Sequence, residues 1–301
     1  MPARLRLRDA ERGSVAILAL WGVALIFMLI APVAFATRGE VQIARNALAE
    51  SRARLAAEAG TQLGLLRLLR RHDENGRIFD GTPEAWEQGS TRVRIAIADE
   101  AGKIDLNLGS LELLTGLFVA VGEPREAAAL LACNVLDRRG DGDAACPQPD
   151  TPHAGRRFVA CEELAAVPGV DARLYDRVAD DITVATGASA IDPRVAPRAV
   201  LLAIPGATEG LVDSFLESRR LWHDLGAADA TMLPAAAPYV TISPRRDFTI
   251  MAAAATSDGA RYRAELQVRL TGRGTQPYQI TGWRTPPADR VAPSVKPART
   301  P

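Results

Sequence analysis

The sequence predicts an α+β chain: a long N-terminal helix packed on a small antiparallel sheet, with a large helical domain inserted into that sheet. Three observations predict it. An uncharged run from Ser14 to Thr37 feeds into a helical pattern that meets no proline until Pro83. One strand pattern stands alone at Thr91–Ala98, and three more follow from Phe248 onward. Between them, residues 101–237 are helical, rich in turn residues and internally repeated.

The uncharged run, SVAILALWGVALIFMLIAPVAFAT, is 24 residues long. Roughly 20 apolar residues cross a bilayer core as a helix, whereas a secretory signal core has about 7–15. Residues 14–37 therefore read as a transmembrane helix. The leader, residues 1–13, carries Arg4, Arg6, Arg8 and Arg12 against Asp9 and Glu11, a net charge of +2. Positive flanks stay cytoplasmic, so the N-terminus is expected inside and the bulk of the chain outside. Ala34-Phe35-Ala36 has the small-x-small form of a signal peptidase site. Retention is the preferred reading, because the run continues into a further helix.

That helix extends over residues 38–75. Ala44, Leu48, Leu55, Ala59, Leu63, Leu66 and Leu69 recur at helical spacing, and Glu40, Arg45, Glu50, Arg52, Arg54, Glu58 and Arg67 fill the opposite face. Pro32 is a candidate kink. His72–Gln88 is turn-rich. Thr91–Ala98 (TRVRIAIA) alternates as a strand, and so do or nearly do Phe248–Ala254, Tyr262–Thr271 and Tyr278–Trp283. Ser257-Asp258-Gly259 reads as a hairpin turn. The sheet is thus expected from residues 76–100 and 238–284. The tail, residues 285–301, is proline-rich with almost no large apolar side chains, and disorder is expected.

Within residues 101–237, Ile104-Asp105-Leu106-Asn107 aligns with Ile191-Asp192-Pro193-Arg194 at an offset of 87. Each copy reads as an Ile-Asp entry, a turn and a short apolar helix, then a glycine turn at Val121-Gly122 or at Ile204-Pro205-Gly206. A third such turn, Val167-Pro168-Gly169-Val170, follows the helix-like CEELAAV. Such units can bind DNA phosphates through a glycine–apolar–glycine turn. Here the second glycine is missing: Asp171 follows Gly169-Val170, and Thr208 follows Gly206-Ala207. Asp171 would repel phosphate, so structural turns are preferred over DNA contacts.

Basic and acidic residues tie at 36 each, which argues against non-specific nucleic-acid binding. Cys133, Cys146 and Cys161 contain no C-x-x-C pattern. One disulfide and one leftover thiol are expected in an oxidising compartment. Three pairings are open, with Cys146–Cys161 preferred because both flank a loop. Asp137, Asp141 and Asp143 cluster around glycines as either a solvated acidic turn or a calcium loop, though not an EF-hand. His72, His153 and His223 are isolated, and no nucleophile elbow, zincin or P-loop motif occurs. No catalytic residue is expected. Gly140-x-Gly142 and Gly272-x-Gly274 are too short to signify. Trp86, Trp222 and Trp283 are expected to pack in the core rather than serve as surface anchors.

Arg12-Gly13-Ser14 before an apolar helix resembles the prepilin leader cut after glycine. The helix-then-sheet order looks like a type IV pilin-like fold. IDLNLGSLELL, IDPRVAPRAVLLAIPGA and the terminal RLTG…PYQITGW are similar to the protein K (GspK) family of type II secretion minor pseudopilins. The resemblance covers residues of about 12–284. It implies cleavage between Gly13 and Ser14 by prepilin peptidase, with methylation of the mature chain, and an inserted domain of helix-hairpin-helix or SAM-like repeats. It implies an inner-membrane single-pass anchor with a periplasmic domain built into the pseudopilus. Its implied partners are the minor pseudopilins I and J and the inner-membrane assembly platform. It also favours calcium at Asp137, Asp141 and Asp143.

Pilins usually carry a glutamate at the fifth mature position; here Leu18 stands there, as the family pattern expects. A buried carboxylate needs a partner charge, so an apolar residue suits a subunit with nothing above it. The resemblance therefore implies a tip subunit that initiates or limits pseudopilus assembly. The alternatives are an exported, membrane-anchored DNA-binding protein and an unrelated membrane-anchored enzyme.

Overall fold

The computed structural model describes residues 7–72, 79–89, 91–143, 145–147, 155–222, 238–242, 246–272 and 276–286. The expected disordered tail, apart from its first two residues, lies outside the described residues. A single helix, α1 (Leu7–His72), runs for 66 residues, roughly 100 Å at about 1.5 Å per residue. Pro32 does not interrupt it.

The sheet has five antiparallel strands in the order β1-β2-β5-β6-β7: β1 (Glu84–Gln88), β2 (Thr91–Asp99), β5 (Asp247–Ala255), β6 (Arg261–Leu270) and β7 (Tyr278–Arg284). As expected, β2 pairs with the C-terminal strands, from Arg92 opposite Ala255 to Asp99 opposite Phe248. β1 was hidden inside a turn-rich stretch. It pairs with β2, Trp86 opposite Val93, and its polar sequence EAWEQ suits an edge strand.

The helix lies on one face of this sheet, over Val93, Ile95, Phe248, Ile250, Ala252, Ala264 and Leu266. The face of α1 that does so differs from the expected leucine stripe. Ala49, Ala53, Ala56, Ala57, Gly60, Thr61, Gly64, Leu65 and Leu68 are buried, whereas Leu48, Leu55 and Leu66 are exposed. The reason is distance. A Cβ on Gly60 would stand 2.9 Å from both Ala252 and Val93, and one on Gly64 would stand 2.5 Å from Ile250. Small side chains at these positions let the helix settle onto the strands, while Leu65 and Leu68 are buried farther along it and Leu63 and Leu69 of the expected stripe pack against the same core.

Between β2 and β5 the chain builds a second core. It contains β3 (Ile104–Asp105), α2 (Leu111–Ala120), α3 (Arg125–Arg139), α4 (Ala172–Val178), β4 (Ile182–Thr183), α5 (Arg198–Ala203) and α6 (Glu209–Trp222). Leu106, Leu113, Leu114, Leu117, Phe118, Leu164, Val200, Leu201 and Phe215 fill its centre. CEELAAV is not an α-helix: Cys161–Ala166 is a 3-10 helix with no side-chain N-cap. A parallel pairing of β3 with β4, Ile104 opposite Ile182, was not foreseen.

The offset of 87 is visible in three dimensions. Ile104 and Ile191 each form a parallel bridge to a later segment, at Ile182 and Val240. Buried Asp105 accepts the Asn107 N–H at 2.8 Å, and buried Asp192 accepts the Arg194 N–H at 3.0 Å. Arg139 on α3 donates to the Leu106 carbonyl at 2.9 Å, and Arg219 on α6 donates to the Pro193 carbonyl at 3.2 Å. Leu106 and Pro193 are equivalent positions. Gly116 of α2 and Ala203 of α5 are also equivalent, and they meet each other. A Cβ on Gly116 would run into the Ala203 carbonyl, a backbone group that cannot rotate away.

Gly116→Ala should therefore force α2 and α5 apart and cost about 1–3 kcal/mol, the usual range for overpacking. Thermal melts of the detergent-solubilised chain check this. An unchanged melting temperature would show that the two helices are not held at the contact described.

Candidate assembly interface

The first described side chains of α1 are all uncharged. From Ala16 to Ile30 every residue is uncharged and exposed, with Leu18 71% exposed. Gly13 and Ser14 lie within the helical backbone, but their side chains, and those of residues 31–39, are outside the described ones. Among the described residues no helix is long and apolar enough to cross a membrane; the expected span over 14–37 lies partly beyond them. Farther along, Val41, Leu48 and Leu55 are exposed at seven-residue spacing. They form an apolar strip on α1 that the sheet does not cover.

The far end of the sheet carries the second core, and a chain of charges, buried at Glu100 and Glu265 and exposed at Glu162, joins the two. Glu100, one residue past β2, accepts from Lys103 Nζ at 2.5 Å and from Thr249 Oγ1 on β5 at 2.7 Å. Arg284 at the end of β7 bridges Glu265 of β6 and Glu162 of the 3-10 helix. Burial alone would push Glu100 up. The Lys103 charge, with hydrogen bonds from Lys103, Thr183 and Thr249, outweighs burial and holds Glu100 below the ordinary carboxylate range. Lys103 is likewise opposed by burial, yet the Glu100 charge raises it. Both stay ionised at neutral pH.

The entry and exit of the helical core converge on one turn. Ala101 accepts the Asp192 N–H at 2.7 Å, while the Ile191 N–H donates to Tyr239 and the Ile191 carbonyl accepts from Thr241, both at 2.9 Å. Gly102 presses on this turn as well, since a Cβ there would stand 2.6 Å from the Val195 carbonyl.

The cysteine pairing differs from the preferred reading. Cys133 is bonded to Cys146, with Cα atoms 5.5 Å apart. Gly140, at φ 86°, caps α3 in the left-handed region, where glycine carries no Cβ penalty. The chain turns back there and brings residue 146 alongside the helix. Cys161 is the free thiol; it sits buried, 3.8 Å from the Ile182 carbonyl. Burial pushes its pKa up to about 12, so it remains a thiol.

The three aspartates are engaged separately. Asp141 lies 2.8 Å from Arg139, a charge contact rather than an aligned hydrogen bond. Asp143 accepts the Ala145 N–H at 2.8 Å, and the Asp137 carbonyl closes the α3 cap. Among the described residues no group of three His, Cys, Asp or Glu is placed to hold a metal ion. As arranged, these side chains do not fit calcium. Asp171 caps α4 by accepting the Leu174 N–H at 2.7 Å, which puts a carboxylate where a DNA phosphate would bind. Trp86 packs against the sheet core, but Trp283 on β7 is exposed, contrary to expectation. The side chains of Trp222, His72, His153 and His223 lie outside the described residues.

No family model matches the chain, and no curated protein matches its sequence. Its structure does find a match. The crystal structure of the GspK-GspI-GspJ complex from the type 2 secretion system of enterotoxigenic Escherichia coli aligns with a TM-score of 0.52 and 14% identity, over 83% of this chain and 99% of that one. The chain has the fold of a protein in that complex. The likeness to the protein K family read from the sequence thus holds at the level of fold. It extends through nearly the whole matched chain, inserted core included.

Buried Asp181 titrates near neutrality. Burial, reinforced by the Asp180 charge and opposed by Lys103, pushes its carboxyl from 3.8 up to about 7. The folded chain therefore keeps a proton that the unfolded chain gives up. Asp181 costs nothing below about pH 4, and its penalty grows as the pH rises to about 7. Asp181→Asn should stabilise the chain at pH 8 by up to about 4 kcal/mol, with the gain vanishing towards pH 4. Paired thermal melts at the two pH values check this; an equal effect at both would contradict it.

Proposed function

We propose that the chain is a minor pseudopilin of a type II secretion system, in the position that protein K holds. It would be a structural subunit rather than an enzyme. The supporting observation is the arrangement of the molecule along α1: an uncovered apolar stretch from Ala16 to Ile30 at one end, and a second core at the end of the sheet remote from it. The exposed apolar residues from Ala16 to Ile30, together with the uncharged run to Thr37, serve in this reading as the inner-membrane anchor. Prepilin peptidase would cut between Gly13 and Ser14, with methylation of the mature chain following, and the anchor would be kept. The strip of Val41, Leu48 and Leu55 would dock on the long helices of the minor pseudopilins I and J, after delivery by the assembly platform. The two glycine-turned helix pairs would be helix-hairpin-helix or SAM-like repeats.

The tip position follows from two features that do not depend on each other. Leu18 offers no carboxylate to a subunit above it. The core between β2 and β5 adds bulk where an overhead neighbour would stack. In this reading one copy caps each pseudopilus and helps to start it, or limits its length.

Immunogold labelling should find the chain at one end of pseudopili, and mass spectrometry should find its mature start at Ser14. Even labelling along the fibres would end the tip reading, and a start at Thr37 would remove the anchor. The DNA-binding alternative would instead gain from tight, salt-dependent binding to duplex DNA.

Calcium is carried by the sequence resemblance alone. Asp141 and Asp143 would have to leave Arg139 and Ala145 to gather on an ion. In that case chelator should lower the melting temperature, and the triple Asp→Ala change at 137, 141 and 143 should abolish the response. A melt indifferent to chelator removes calcium from the proposal.

A further inference from the structure

The sheet face turned away from α1 carries a patterned set of arginines. Arg92 stands opposite Ala255, and Ala255 opposite Arg261; Arg94 stands opposite Ala253, and Ala253 opposite Arg263. Directly opposed residues share a face, and Val93 and Ile95 already occupy the α1 side. The result is a trough. Its floor is alanine on β5, and its walls are guanidinium groups on β2 and β6, two strand spacings or about 10 Å apart. Arg92, Arg94, Ala255 and Arg261 are exposed. Arg263 is buried at the inner end, with Nη2 3.2 Å from Met251 Sδ. Among the described residues no carboxylate pairs with Arg92, Arg94 or Arg261. Glu87 on edge strand β1, opposite Arg92, is the acid on these two rows; Asp258 lies in the adjoining hairpin turn.

Arg92 and Arg94 on β2 and Arg261 on β6 flank the alanines of β5 and repel one another across them. An alanine floor lets an extended backbone approach closely, and guanidinium forks bind carboxylates in bidentate fashion. Anionic lipid fits less well. Gly60, which lies over Val93 and Ala252, is 23 residues (60 − 37) beyond Thr37. That is about 35 Å along the helix, several times the Debye length of about 8 Å in physiological salt.

We propose that this trough docks an extended acidic segment of a partner protein, whose Asp or Glu side chains engage Arg92 and Arg94 on one wall and Arg261 on the other. The surface is separate from the α1 strip assigned to other pseudopilins. The trough rests on sheet register alone; only the exclusion of lipid depends on the membrane-anchor reading.

The test uses the full chain in cells, with a photo-crosslinking phenylalanine analogue at Ala255 and crosslinked peptides read by mass spectrometry. The expected product is a crosslink to a protein segment rich in Asp and Glu. The triple change Arg92→Glu, Arg94→Glu and Arg261→Glu should reduce it at least about tenfold, as loss of complementary charge does. The triple Arg→Lys change, which keeps the charge but loses the bidentate fork, should fall between the parent and the Glu variant, and lysines placed in the partner segment should restore crosslinking to the Glu variant. Melting temperatures check that each variant folds. No crosslink, a crosslink to lipid or to segments without acidic residues, or a crosslink unmoved by charge reversal would overturn the proposal. Tip labelling could fail while these results hold, which separates the two ideas.

Discussion

The buried pair of Glu100 and Lys103 is the joint of this molecule. It sits where the chain leaves β2, and Thr249 on β5 ties it to the neighbouring strand. Removing one partner of such a pair strands the other charge in a dry site, at a cost of about 3–5 kcal/mol. The pair is also the start of a longer alternation. Lys103 feels Glu265, Glu265 meets Arg284, and Arg284 reaches Glu162 on the second core. Five charges of alternating sign thus run from the linker through the last two strands and into the inserted core. Apolar packing holds each core together internally. This polar chain, with the turn at Ile191-Asp192, helps to set how one core sits on the other.

α1 does two different jobs along one surface, and side-chain size separates them. Towards the sheet it offers alanine, glycine and threonine at Ala53–Gly64, with Leu65 and Leu68 filling the core beyond them, so the closest contact is fixed by shape. Away from the sheet it offers Val41, Leu48 and Leu55, which are large and uncovered. The helix is therefore committed on one side and available on the other.

Much of this was legible in the chain itself. Alternation in TRVRIAIA and YRAELQVRLT marked β2 and β6, because apolar residues occupy the face towards α1 and polar ones alternate with them. The Ile-Asp pair at an offset of 87 marked two units that close in the same way. What was misread has physical causes. Leu48, Leu55 and Leu66 look like part of a core stripe with Leu63 and Leu69, but the closest contact with the sheet is made by the face carrying Ala53, Ala57, Gly60 and Gly64. Cys146 flanks a loop with Cys161, but the left-handed turn at Gly140 carries it back to Cys133. EAWEQ pairs as an edge strand because an edge tolerates polar residues on both faces. The charge chain and the arginine trough had no local signal, since register and folding alone bring their members together.

Asp99 and Phe248 are cross-strand partners, though 149 residues (248 − 99) apart in the chain. Closing a flexible loop of that length costs about 4 kcal/mol in chain entropy beyond a constant. If the inserted core forms first, its entry and exit already lie beside the same turn, and the gap left to close is a few residues. The central strand pairing would then be rate-limited by the helices between its partners, and the five-stranded sheet would owe its folding speed to a part that contributes none of its strands.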